Sequence, residues 1–230
     1  MKKILPVLIL VLSLLLTSAA GAATVGSEAD RNIQPVALQA DGTFALNPVI
    51  EGESPVTGLA WTGRYQPMLC QFDNATGGVE RVIHWGIRYA DVVYETLLAA
   101  NGTTRISALF SDHLPDSAGP VRSARLAHAW LRQEWQAGFC FFGAQTMPAT
   151  NVREEFVKLG VFSKLGVLFD GTSDETKPWM KYYHRVAKLG SPHNVEANVA
   201  GIQSLIDPEV YQAVERPFLF SDTKPTTGEY

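Results

Sequence analysis

The most constraining stretch is Gly119-Pro120-Val121-Arg122-Ser123-Ala124-Arg125. It follows an alternating apolar segment, Thr104–Phe110, and precedes residues 123–135, where apolar side chains recur at helical spacing. A Gly-Pro turn between a strand pattern and a helix pattern fixes a strand–turn–helix unit. Two arginines are expected on the first turn of that helix. The macrodipole already places partial positive charge there, so cations are disfavoured and anions welcome. Guanidinium forks beside free backbone N–H groups make a candidate anion site.

The flanking segments set the fold class. Pro67 to Phe72 is a short apolar strand that closes on Asp73-Asn74. Residues 90–98 carry Val92, Val93 and Tyr94, and Asn101-Gly102 is a hairpin-grade turn into the return strand. Ile106, Ala108 and Phe110 fall on one face of that strand. Gly138 to Phe142 reads as a buried strand. Residues 151–159, stopped by Gly160, and residues 198–206 read as helices. Strands interleaved with helices predict an α/β fold, a mixed sheet flanked by helices.

Residues 1–23 have the form of an export signal. Lys2 and Lys3 start it, an apolar run follows, and Ser18-Ala19-Ala20-Gly21-Ala22-Ala23 offers a cleavage zone. Residues 24–46 are expected to be a tether. The chain has 230 residues and a net charge of −4, and losing Lys2 and Lys3 with the leader would make it more acidic. That balance argues against a nucleic-acid partner. A membrane contact is expected only through a retained leader. Cys70 and Cys140 fit equally well as a disulfide or as two buried thiols.

Several pieces together resemble the YerB-like family of extracytoplasmic proteins, the domain of unknown function 3048. They are Asn47-Pro48, Pro55-Val56-Thr57-Gly58-Leu59, Phe72-Asp73-Asn74, Ala90-Asp91-Val92-Val93-Tyr94-Glu95, Thr104-Arg105, the Gly119 to Arg125 stretch and Ser191-Pro192-His193-Asn194. The resemblance implies an exported cell-envelope domain over residues 47–210. Residues 211–230 resemble the start of a second module, cut short. It implies no known reaction. The chain departs from the family in lacking a lipoprotein cysteine, in residues 81–86, and at Phe141-Phe142-Gly143-Ala144-Gln145.

Two functions are compatible with these residues. In the first, Arg105, Arg122, Ser123 and Arg125 bind an anionic ligand, a cell-envelope glycan or a phosphorylated compound. In the second, the same arginines serve an extracellular metal-assisted phosphoryl or glycosyl transferase, with Asp91 and His193 as candidate catalytic groups. The competing role for Asp91 and Glu95 is an ion pair with Arg105 across the hairpin, or a solvated position. No cofactor is called for, and the histidines show no metal-ligand spacing.

Overall fold

The structure, a computed structural model, describes residues 49–74, 83–98, 102–162, 166–213, 215, 216 and 218. The leader and tether expected over residues 1–46, the Asn101 half of the hairpin turn, residues 81 and 82, and most of the last segment lie outside the described residues. Residues 49–217 pack as one unit.

Five strands form the main sheet: β1 (Met68–Asn74), β2 (Val92–Leu97), β3 (Thr104–Phe110), β4 (Gly138–Phe141) and β5 (Leu168–Asp170). Their spatial order is β2-β3-β1-β4-β5. β3 is antiparallel to both β2 and β1, whereas β4 and β5 run parallel to β1. The sheet is therefore mixed, as the hairpin pattern requires. β2 is an edge strand whose exposure alternates, while β1, covered on both faces, is buried from Met68 to Asp73.

Three helices follow from the apolar spacing: α1 (Leu126–Trp135), α2 (Val152–Lys158) and α3 (Val199–Gln203). Asn151 caps α2 by accepting from the N–H groups of Arg153 and Glu154, and Asn198 caps α3 through Gly201 N–H. Gly160, at φ 70°, takes the left-handed conformation that ends the α2 segment.

The pleat sorts the sheet into two faces. Leu69, Phe139 and Phe141 face α2, whose Phe156 meets both phenylalanine rings at 5.9 and 5.8 Å. Trp135 of α1 meets Tyr94 on the same side, with its indole N–H donating to the Tyr94 hydroxyl at 3.0 Å. The other face carries Met68, Cys70, Phe72 and Cys140, under α3 and a two-stranded ribbon of β6 (Tyr183–Arg185) and β7 (Val195–Ala197). Cys70 and Cys140 are neighbours in register across β1 and β4, and both are free and buried. Burial, and then Cys140 beside it, push the Cys70 thiol far above its ordinary range. Tyr183 donates to the Phe169 carbonyl at 2.7 Å and lies against Cys140 Sγ at 3.2 Å.

Along the helix-covered face, the β1–β3 pairs change character toward one end. Leu69 pairs with Leu109, Gln71 with Ser107, and Asp73 with Arg105. The Ser107 hydroxyl donates to Gln71 Oε1 at 2.9 Å. The ladder thus passes from apolar to polar to charged as it approaches the carboxyl end of β1, all of it buried.

Candidate functional site

β4 pairs with only the first three residues of β1, Met68 to Cys70. Beyond them the two strands part, and residues 119–124 enter the gap. Arg122 N–H donates to the Gln71 carbonyl and Asp73 N–H to the Pro120 carbonyl, both at 2.8 Å. On the far side Phe142 N–H donates to the Arg122 carbonyl at 3.0 Å, and Ala124 N–H to the Gly143 carbonyl at 2.9 Å. Gly119 has no room for a side chain, because a Cβ would lie 2.2 Å from the Trp85 ring.

This corrects the expected helix start. Residues 122–124 are extended, since their backbone is committed to the strands on either side, and α1 begins only at Leu126 with Arg125 as its N-cap. Arg122 and Arg125 do not ride on the first turn. They stand before it, at the carboxyl ends of parallel strands, where α/β sheets bind ligands.

The centre of the cluster is Asp73, fully buried at the end of β1. Arg105 Nη1 donates to its Oδ1 at 2.9 Å. Arg122 Nε lies 3.0 Å from Oδ2 as an ion pair, without the alignment of a hydrogen bond. His193 Nδ1 makes a short contact with the same Oδ2. His84 Nε2 lies 2.6 Å from the Asp73 carbonyl oxygen. Arg125 Nη1 donates to Ser123 Oγ at 2.7 Å and to the Ala124 carbonyl at 2.9 Å, and among the described residues Arg125 pairs with no carboxylate. Two guanidiniums therefore share one carboxylate, and a third, that of Arg125, stands beside them.

The electrostatics bear this out. Burial brings Arg105 down to about 10, with Arg125 and Arg122 adding to the fall and Asp73 opposing it. Arg125 is lowered by burial and then by Arg122. Both guanidiniums remain charged at neutral pH. His128, on α1, accepts the Arg125 backbone N–H on Nδ1 at 3.1 Å, so its proton is on Nε2. Burial, followed by Arg105 and Arg125, holds the His128 imidazole down at about 3. Its Nε2 and Arg105 Nε are buried donors with no hydrogen-bond partner among the described residues. Donors outnumber acceptors throughout the cluster.

Arg105, Arg122, Ser123, Arg125 and His193 thus come together, although 88 residues separate Arg105 from His193 in the chain. Asp91 does not join them. It lies near the opposite end of β3, where its Oδ2 accepts the N–H groups of Ser111 and Asp112 at 2.7 and 3.1 Å. Burial raises its pKa despite those bonds. The expected ion pair of Arg105 with Asp91 or Glu95 is absent, because Asp73 takes Arg105 while Glu95 accepts from Asn74 and Thr104. Asp73 is the carboxylate that sequence reasoning placed at a strand end without pairing it to Arg105 or Arg122. Its signal was an acidic residue ending an otherwise apolar strand. Among the described residues, no three His, Cys, Asp or Glu side chains are grouped to hold a metal ion. No helix among them is long and apolar enough to cross a membrane.

Comparison with known proteins agrees with this fold. The chain is 28% identical over 153 residues to the putative lipoprotein YerB of Bacillus subtilis (strain 168), a match that covers 63% of this chain and 41% of that protein. The chain thus spans less than half the length of that relative. The crystal structure of YerB from Bacillus subtilis superposes with a TM-score of 0.57 at 23% identity, over 75% of this chain and 55% of that one. Residues 56–212 match the family described as the N-terminal domain of a protein of unknown function (DUF3048), and with the β1–β7 core and the arginine cluster both inside that span, the chain belongs to this family.

Proposed function

We propose that this domain binds a phosphate-bearing anion at the carboxyl ends of β1 and β4, through Arg122 and Arg125 with Arg105 behind them. The observation that carries the proposal is the charge imbalance: among the described residues, Arg105 and Arg122 pair with one carboxylate, Asp73, and Arg125 adds a third guanidinium close to both. Such a cluster repels itself unless something negative joins it, and the low local dielectric of a half-buried site strengthens that repulsion. Arg122 retains 28% side-chain exposure and its Nη groups have no partner among the described residues, so a ligand can reach it. Ser123 holds Arg125 in place from behind. The description of a relative as a putative lipoprotein supports a cell-envelope setting for this reading, where phosphorylated glycans are a natural ligand.

Isothermal titration with inorganic phosphate tests the reading. Each charge-assisted hydrogen bond contributes roughly 1.5–3 kcal/mol, so Arg122→Ala and Arg125→Ala should each weaken binding roughly ten- to a hundredfold. Unchanged affinity in the double variant, with the fold retained by circular dichroism, would remove the site.

A further inference from the structure

We propose that His193 makes this cluster select anions that bring a hydroxyl: hydrogen phosphate, or a phosphate ester with a neighbouring hydroxyl, over sulfate. The inference rests on the anion-site reading above. His193 Nδ1 and Arg122 Nε meet at one atom, Asp73 Oδ2, so the imidazole and the guanidinium are side by side. A carboxylate held by two guanidiniums only accepts, so Nδ1 carries a proton, and in the neutral imidazole Nε2 then carries the lone pair. That arrangement, a carboxylate fixing the tautomer of a histidine through one ring nitrogen, turns the other nitrogen into a directed acceptor.

His193 has 37% side-chain exposure, and Nε2 has no partner among the described residues. The charged side chains beside it, Arg122 and Arg125 with the buried Arg105 behind them, are pure donors. A bound anion therefore meets guanidinium donors on one side and an acceptor, Nε2, on the other. Sulfate has only accepting oxygens and leaves Nε2 unsatisfied. Hydrogen phosphate has the same charge and shape but carries one O–H. A phosphate monoester dianion carries none on phosphorus, so its hydroxyl must come from the carrier, as in a sugar phosphate.

The test is calorimetric titration of the whole chain at about pH 8, where phosphate esters are dianions. The probes are sulfate, inorganic phosphate, methyl phosphate and glucose 1-phosphate. The comparison variant is His193→Asn, which keeps an N–H for Asp73 and removes the Nε2 acceptor. The wild type should bind inorganic phosphate or glucose 1-phosphate at least tenfold (about 1.4 kcal/mol) more tightly than sulfate and methyl phosphate. The variant should bind the four within about twofold of one another, because the shorter amide does not reach the position of Nε2 and the anion's hydroxyl loses its acceptor. Preference for glucose 1-phosphate assigns the hydroxyl to a carrier, and preference for inorganic phosphate assigns it to phosphorus. Equal binding of all four anions by the wild type, or a preference that survives in His193→Asn, overturns the role of His193 while leaving the anion site standing. Failure of every anion to bind the wild type overturns both.

Discussion

Asp73 decides the local balance at the scale of single residues. Its carboxylate is fully buried and receives Arg105, which is itself 4% exposed. Removing one member of a buried pair strands the other, at a cost of about 3–5 kcal/mol. Asp73→Ala is expected to lose that much stability in urea unfolding, and a loss below about 1 kcal/mol would show that Asp73 does not hold the cluster. His128 gives a pH-dependent counterpart. Its folded value, about 3, lies below the ordinary 6.5, so the unfolded chain binds the extra proton between those limits. Stability from this group is complete above about pH 6.5 and is lost as pH falls toward 3, on the order of 5 kcal/mol across the range. His128→Asn, which can still accept the Arg125 N–H, should flatten the acid limb of a stability-versus-pH curve. An unchanged limb would mean that His128 is not held neutral.

At the scale of elements, the strands and the helical spacing were legible and the wedge was not. Thr104–Phe110 shows its period in the sequence, and the structure keeps its bounds unchanged. Residues 151–159 show helical spacing in the sequence, and the structure adds Asn151 as the N-cap. Asn151→Ala should cost about 1 kcal/mol, lowering the melting temperature by roughly 2–4 °C. The reading failed at residues 122–124, because apolar spacing in that stretch fits a helix. What overrides it is non-local: the carbonyls of Gln71 and Gly143 take the N–H groups a first turn would use. Nothing near residue 122 in the chain records where β1 and β4 part. Asp91 shows the complementary error, a carboxylate in a specific motif whose work is to tie down the chain after β3. Asp91→Ala should lower stability by about 1–3 kcal/mol and leave phosphate affinity within about twofold. A large loss of affinity would return Asp91 to the site.

At the scale of the whole molecule, the site exists because of topology. β1 supplies Asp73, β3 supplies Arg105, the inserted segment supplies Arg122 and Arg125, and the loop before β7 supplies His193. The sequence named four of these five by their chemistry. It could not pair them, since a guanidinium's partner depends on register, and register is set by the hydrophobic faces of strands 32 residues apart at the Asp73–Arg105 pair. The mixed sheet places the carboxyl ends of β1, β4 and β5 at one edge, and the antiparallel β3 delivers the start of its own strand there. The most direct test of the anion site is a crystal soaked in tungstate, a heavy tetrahedral dianion located by anomalous scattering. The account predicts one strong peak within hydrogen-bonding reach of Arg122 and Arg125 and beside His193. A peak elsewhere on the domain, or none while the protein remains folded, would contradict it.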